Sequence, residues 1–244
     1  MALDKKAING LHLKLIAIIT MTIDHIGAVI VNELIGLYPD LYHRYIIIYN
    51  ICRDIGRLAF PIFCFLIVEG FFHTHNVKKY MARLLVFAMI SEIPFDLAFY
   101  GQAIYPDYQN VFFTLFFGLL SIYFADLIMK KDPGSMKMKL LSLLPIFACA
   151  GLSFLLKTDY GAEGVLTVVL IYFFYGRSKS ISIGLSAVFL GLCLDISEFF
   201  ALVDMIPVYF YNGKRGKQKK YFFYIYYPLH LLALRIVCIA IKRA

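Results

Sequence analysis

A lysine and a histidine in the first apolar segment have a spacing that suits the two ends of one elongated ligand. Lys14 and His25 are eleven residues apart. In an α-helix this is three turns plus about 20°, so both lie on one face roughly 16 Å apart, about the length of an extended pantetheine arm. A lysine ammonium binds phosphate, and an imidazole with a pKa near neutrality acts as a general base. The pair predicts a phosphate-bearing cofactor held at Lys14, with His25 as the base at its far end.

Two arginines in the second apolar segment are the predicted partners of Asp24. Adjacent residues of a helix do not face each other, so Asp24 is not expected to orient His25 directly. Arg53 and Arg57 are four residues apart and share a helical face. Pro61 leaves the carbonyl of Arg57 without its helical hydrogen bond. Because charges in hydrocarbon are costly unless they are paired, this group is a functional hypothesis.

Two further apolar segments carry ionisable residues. Glu92 and Asp96 form a like-charged pair at i, i+4, and both remain ionised only beside cations, for which Arg53 and Arg57 are the candidates. His230 follows a proline in the last segment, near the middle of the membrane.

Each of these groups also has a structural interpretation that the sequence leaves open. A membrane histidine such as His230 often only joins helices through a hydrogen bond. The arginines and carboxylates can form a structural ion-pair network, and Lys14 can extend its ammonium to the lipid headgroups.

The elements that must position these residues are membrane helices. The 244 residues are 61% hydrophobic and 16% charged, with a mean hydropathy of +0.75. Stretches of roughly 18 or more apolar residues recur, each long enough to cross a bilayer. The first is expected to be retained, because it contains charged residues and lacks a signal-peptide cleavage site. Five cysteines without a CxxC pair give no metal site.

The predicted fold class is therefore all-α, a polytopic helical bundle that forms a single domain over 1–244. We expect about nine transmembrane helices, at 12–36, 46–72, 79–100, 110–129, 139–156, 161–176, 180–197, 199–211 and 221–241. The segment 199–211 is short and contains Pro207, so we expect it to be broken or re-entrant.

The distribution of the net charge of +8 predicts the topology. With the amino terminus inside, seventeen of the 24 basic residues lie in the inner loops and four in the outer loops, as the positive-inside rule requires. The outer loops are acidic. This alternation indicates membrane orientation and excludes a nucleic-acid partner. The remaining three basic residues, Arg53, Arg57 and Arg235, lie inside the membrane.

Ordered motifs over 13–235 resemble the TraX family, which is named for a conjugation protein that acetylates the amino terminus of pilin. The matching motifs are Met21–Gly27, Gly56–Phe63, Glu69–Phe71, Ser91–Asp96, Asp159–Gly161 with Gly164, Tyr211–Gly213 and Tyr227–His230. The spacing of Lys14 and His25 also resembles, more distantly, the first helix of membrane-bound acyltransferase family three.

The resemblance implies an acetyltransferase of the bacterial inner membrane. Its acyl donor is acetyl-CoA from the cytoplasm, and its acceptor is an amine or hydroxyl such as a peptide or pilin-like amino terminus. His25 is implied as the catalytic base or transient acyl carrier, and Lys14 and Arg83 as contacts of the CoA phosphates. The other residues implied in the catalytic site are Asp24, Arg57, Glu92 and His230.

Two other classes of function use the same residues. A proton-coupled carrier would use the buried histidines, acids and arginines as a proton relay. A membrane module without enzymatic activity would use the charges to bind a partner protein.

Overall fold

The computed structural model describes residues 7–217 and 221–243, and these residues confirm the predicted all-α fold class. The helices are α1 (Gly10–His25), α2 (Asn32–Leu37), α3 (Tyr42–Gly56), α4 (Ala59–His73), α5 (Val77–Phe99), α6 (Val111–Met129), α7 (Met136–Leu155), α8 (Gly161–Phe174), α9 (Lys179–Cys193), α10 (Met205–Tyr209) and α11 (Phe222–Arg243).

Within the described residues, five helical stretches are long and apolar enough to cross a bilayer: Gly10–Leu37, Pro39–His73, Val111–Met129, Met136–Leu155 and Phe222–Arg243. Many of their large apolar side chains point outward, as in a protein whose solvent is lipid. We describe the chain as a helical membrane protein. The end of the bundle where α1 and α11 begin is called the basic side, and the end where α7 finishes and α8 begins is called the opposite side.

The first span changes its helical form directly after the predicted base. Asn9 caps α1 by accepting hydrogen bonds from the backbone N–H groups of Leu11 and His12. After His25 the backbone forms a π-helical turn, Ile26–Val31, before α2 continues the span. Such turns are rare and frequently lie at functional sites.

The expected helix over 46–72 is wrong in one respect, because the structure divides it into α3 and α4. At the junction the Arg57 N–H bonds to the Asp54 carbonyl and the Leu58 N–H bonds to the Ile55 carbonyl, which are three-residue turns. Pro61 has no N–H with which to bond the Arg57 carbonyl, so the α-helical ladder is interrupted here. The interruption lies directly at an ionisable residue, Arg57.

The segment 199–211 is short and irregular, as the sequence predicts. A 3₁₀ helix, Ile196–Asp204, is followed by the five-residue α10. Both pack on α9. The segment returns the chain to the basic side, where Tyr211 forms a bridge with Ile8.

Three helices surround the interior groove that holds the site. α11 packs on α5, and both α5 and α11 contact the π-helical turn that follows α1. α4 closes the groove from the side of α1. The first, fifth and last helices therefore present their side chains to one interior space.

Candidate active site

Two histidines from opposite ends of the sequence meet inside the groove. His25 Nδ1 lies 2.7 Å from His230 Nε2, within a hydrogen bond. Both residues are at most 9% exposed. Their rings are nearly parallel, and the Tyr226 ring stacks on the other face of His230 at 5.1 Å. The structure thus brings the predicted base and the predicted accessory histidine into direct contact.

Hydrogen bonds assign the proton positions in this pair. The backbone carbonyl of Tyr226 can only accept, so His230 Nδ1, 3.1 Å away, carries a proton. When both imidazoles are neutral, His230 Nε2 is an acceptor and His25 Nδ1 donates to it. His25 Nε2 then has the free lone pair. The base of the pair is this nitrogen, and His230 holds His25 in that tautomer.

The Asp24 carboxylate faces the basic nitrogen of His25 at the longest distance that still counts as an ion pair. Its Oδ2 lies 4.0 Å from His25 Nε2 and 2.7 Å from Arg53 Nη1. The partner of Asp24 is therefore Arg53, one of the two arginines that the sequence offered. Gly56 makes this approach possible, because a Cβ at that position would overlap the Asp24 carboxylate.

The second predicted arginine, Arg57, makes its contacts with residues other than His25. Arg57 Nη1 lies 2.8 Å from Glu198 Oε1 and its Nε lies 3.1 Å from Ser197 Oγ. The Tyr160 side chain lies beside Arg57. These contacts join the α3–α4 break to the 3₁₀ helix and to the loop before α8.

That loop holds a half-buried carboxylate, Asp159, next to a strained backbone residue, Tyr160. Tyr160 has a φ of 61° and stacks on Phe60 with ring centroids 3.7 Å apart. A non-glycine residue in this region costs free energy, and such residues cluster at functional sites. Burial raises the pKa of Asp159, to which the Tyr108 hydroxyl donates at 2.8 Å. The negative charge of Asp159 in turn raises the pKa of Tyr108.

The acids of α5 do not pair with the arginines, which corrects the sequence expectation for them. Glu92 accepts a short hydrogen bond from the Asn110 side chain. Asp96 accepts from the backbone N–H of Tyr105 at 2.7 Å. Both partners are neutral donors. Glu92 therefore contacts Asn110 and has no hydrogen bond to either histidine among the described residues.

A cavity of about 580 Å³ opens on the basic side and extends toward the histidine pair. Lys14, Ile18 and Met21 line it in sequence order along α1, and His25 follows one turn later. The inner end includes Tyr227, whose ring centroid is 6.1 Å from that of His25. Lys14 and His25 thus lie in one unbroken α-helix, as their spacing assumed, and of the two only Lys14 lines the cavity.

The mouth of this cavity carries cations from three parts of the chain. Lys14 and Arg83, both predicted as phosphate contacts, line it together with Lys79 and Arg215. Lys14 Nζ lies 5.1 Å from the centre of the Phe223 ring. The Nε of Arg83 is buried and has no hydrogen-bond partner among the described residues. We call these four residues the cationic mouth.

A family model described as TraX protein matches residues 9–238 of this chain. The chain belongs to the TraX family. The match covers both histidines, the ion pairs and the cationic mouth, so the features described above all lie within the TraX region.

A curated relative of this TraX chain matches nearly end to end. It is the probable fimbrial assembly protein FimC, serogroup H1, of Dichelobacter nodosus, which is 28% identical over 256 aligned residues and covers 93% of this chain and 94% of the relative. An uncharacterised protein of Rickettsia prowazekii (strain Madrid E), RP591, is 31% identical over 114 residues, 46% of this chain and 36% of that protein. No solved structure matches.

Several residues around the site were not assigned a role from sequence. Lys79 and Arg83 are four residues apart on one face of α5, a spacing that could have paired them. Arg215 was interpreted only as part of a basic loop. Glu69 lines the cavity and accepts hydrogen bonds from the Tyr211 and Tyr175 hydroxyls.

Glu69 joins separate parts of the wall of the TraX cavity. Its carboxylate lies 3.1 Å from Lys179 Nζ on α9 and 2.8 Å from the Tyr211 hydroxyl after α10. Because its donors come from residues more than 100 positions away, no local pattern predicts this arrangement. Glu69 fixes the side of the cavity that faces the cationic mouth.

Proposed function

We propose that this chain is an acetyltransferase of the bacterial inner membrane that transfers an acetyl group from cytoplasmic acetyl-CoA to an amine or hydroxyl acceptor. The whole chain acts as one transmembrane unit, with its amino terminus and the basic side in the cytoplasm. The observation that carries the proposal is the cavity that leads from the cationic mouth to Tyr227, whose ring lies 6.1 Å from that of His25.

The cavity suits the shape and charge of acetyl-CoA. Its mouth offers four cations to the phosphates, and the buried Nε of Arg83, which has no hydrogen-bond partner within 7–217 and 221–243, is a donor that a phosphate could use. The walls beyond the mouth include Ile18, Met21 and Leu115 and would take the pantetheine arm. The roughly 16 Å rise from Lys14 to His25 brings the thioester to the histidine pair.

The histidine pair suits the proton transfer that acetylation requires. The acceptor nitrogen or oxygen forms a bond to the acetyl carbon, the carbon–sulfur bond breaks, and the CoA thiolate leaves. His25 Nε2 accepts the proton from the acceptor and then donates it to the CoA thiolate. Asp24, 4.0 Å from that nitrogen, stabilises the imidazolium in between.

The relatives support a peptide acceptor. FimC is named as a probable fimbrial assembly protein, and fimbriae are polymers of protein subunits. An amine acceptor asks little of the base, because an α-amino group titrates at about 7.7 to 8.0 and is partly neutral already. We therefore favour a pilin-like amino terminus as the acceptor.

The test is binding and slow hydrolysis of acetyl-CoA by the purified protein in detergent. We expect wild type to bind and hydrolyse acetyl-CoA, and His25→Ala to bind it equally well with turnover reduced by about 10²-fold or more. His43→Ala is the matched control, because His43 is exposed.

Either of two results would overturn the proposal. A folded wild-type protein that neither binds nor hydrolyses acetyl-CoA would favour a proton-coupled carrier built on the same buried charges. Equal turnover by wild type and His25→Ala would remove the histidine from the chemistry.

A further inference from the structure

A second cavity lies beyond the histidine pair, on the opposite side. Its volume is about 190 Å³, and its lining includes Asn32, Glu33, Arg235 and Lys242. Phe99 also lines it, and the edge of the Phe99 ring meets His25 with centroids 5.3 Å apart. Phe99 is thus the wall between this cavity and the predicted base.

The two cavities and the histidine pair follow the same order along the shared helices. On the first span, Met21 lines the first cavity, His25 follows, and Val29 lines the second. On α11, Tyr227 lines the first cavity and Arg235 the second, with His230 between them. One groove therefore contains a large cavity, a base and a small cavity in line.

Among the residues that the structure describes, Arg235 has no carboxylate partner, unlike Arg53 and Arg57. Arg53 is paired with Asp24, and Arg57 with Glu198. Arg235 forms no ion pair with any residue of 7–217 or 221–243 and lies against the backbone of Gly101 at the cavity. A half-buried guanidinium without a counter-ion binds a carboxylate or phosphate strongly.

The other charges of the cavity leave this cation uncompensated. Lys242 Nζ lies 2.9 Å from Glu33 Oε1, so those two charges cancel. The described lining therefore carries one net positive charge, that of Arg235. A ligand that neutralises it must itself be anionic at this point.

We propose that the second cavity is the acceptor site and that Arg235 binds an oxyanion of the acceptor there. This inference rests on the proposed acetyltransferase function. It places the donor and the acceptor on opposite sides of His25, with Phe99 moving aside as the reacting group enters. Arg235 is a specificity-determining residue and takes no part in the proton transfer.

The distance between the base and Arg235 predicts how far from the acetylated group the oxyanion of the acceptor must lie. Arg235 is five residues beyond His230, a rise of about 8 Å along α11, and its own side chain extends beyond that. An extended peptide advances about 3.4 Å per residue. An acidic side chain at the fourth position of a peptide therefore reaches Arg235 when the amino terminus is at His25.

The experiment compares two peptides, Gly-Gly-Gly-Asp and Gly-Gly-Gly-Asn, both with amidated carboxyl termini, as acceptors of radiolabelled acetyl groups. We expect wild type to favour the acidic peptide about tenfold in kcat/KM, which corresponds to about 1.4 kcal/mol. Arg235→Gln should bring the ratio near one while acetyl-CoA hydrolysis stays unchanged, and Arg235→Lys should restore part of the preference. Arg243→Gln, at an exposed position outside the cavity, should behave as wild type.

An unchanged ratio in Arg235→Gln would overturn the inference while normal hydrolysis left the proposed function standing. Loss of hydrolysis in wild type would instead overturn the proposed function.

A second measurement decides the matter if neither peptide accepts an acetyl group. Asn32 is exposed and lines the cavity, so Asn32→Cys provides a thiol there in a background in which the exposed Cys193 and the cavity-lining Cys238 are both replaced by serine. An anionic methanethiosulfonate should modify it about tenfold faster than a cationic one, and Arg235→Gln should remove the difference. Equal rates before that substitution would contradict anion binding by Arg235.

Discussion

The two cavities of the groove differ in size and in the source of their polarity. The first is three times larger and keeps its cations at the mouth, with apolar residues deeper inside. The second is small and lined largely by charged and polar groups close to the histidine pair. The first is shaped for a long ligand with an anionic head, and the second for the end of a compact polar chain. This difference is what the proposed function requires, in which two unlike substrates approach one base from two directions.

The largest effect is expected from substitutions in the histidine pair, which lies between the two cavities. Replacing His230 with alanine removes the acceptor of the His25 Nδ1 proton, so the tautomer of His25 is no longer fixed. We expect turnover to fall by about 10²-fold with the affinity for acetyl-CoA unchanged, and the pH profile of turnover to shift. Isothermal titration and hydrolysis rates across pH measure both quantities.

A conservative variant separates positioning from general packing. Glutamine at position 230 still offers a side-chain oxygen to His25, so His230→Gln should recover a large part of the rate. If alanine and glutamine are equally inactive, His230 does more than hold the tautomer.

The second prediction disturbs only the side of His25 that faces Asp24. Gly56→Ala places a methyl group on the Asp24 carboxylate, which must move away from Arg53. We expect a loss of about 1–3 kcal/mol in stability, as for an overpacked interior, together with reduced turnover. Thermal unfolding in detergent measures the first effect. Gly151→Ala is the control, because nothing lies within 4 Å of a Cβ there, and it should not be destabilised.

Much of this fold could be predicted because hydropathy and helical periodicity are local properties. The apolar stretches marked the long helices, and the spacing of Lys14 and His25 correctly assumed one unbroken helix, α1. Asp24 was correctly assigned a partner on the next segment, because an unpaired charge at that depth is too costly.

The parts that could not be predicted depend on contacts between distant segments. His25 and His230 are 205 residues apart, and no local pattern indicates that two membrane histidines share a hydrogen bond. The expectation for Glu92 and Asp96 assumed that only cations would accompany them. The structure supplies the neutral Asn110 amide and a loop N–H in their place, donors that become close only when α5 and α6 pack.

The third prediction concerns the first cavity alone. Lys14→Ala removes one of the four cations of its mouth, and a charge-assisted hydrogen bond contributes about 1.5–3 kcal/mol. We expect the dissociation constant of acetyl-CoA to rise about tenfold, with turnover at saturation nearly unchanged. Lys137→Ala, at an exposed position outside the cavity, tests whether net charge alone matters. An equal effect of both variants would remove Lys14 from the binding site.

The smallest effects are expected at Asp159 and Asp195, two aspartates on the opposite side of the bundle whose pKa values shift in contrary directions. Burial raises the pKa of Asp159, so the folded state retains a proton that the unfolded state loses, and the contribution of Asp159 to stability falls as the pH rises above about 4. Hydrogen bonds from Ser197 lower the pKa of the exposed Asp195, so its contribution is complete above about 4 and is lost as the pH falls below that value.

Thermal unfolding between pH 2.5 and 8 in detergent distinguishes these two carboxylates. Asp159→Asn should flatten the decline above pH 4, with a change of a few degrees in Tm, whereas Asp195→Asn should flatten only the loss below pH 4. If Asp195→Asn flattened the pH dependence of Tm above pH 4, or Asp159→Asn flattened it below pH 4, burial would not be what distinguishes the pKa values of the two carboxylates. Asp159 directly precedes the strained residue Tyr160, whose side chain lies beside Arg57. The pH dependence of Tm that Asp159 causes therefore reports on the part of the protein next to Asp24 and the base.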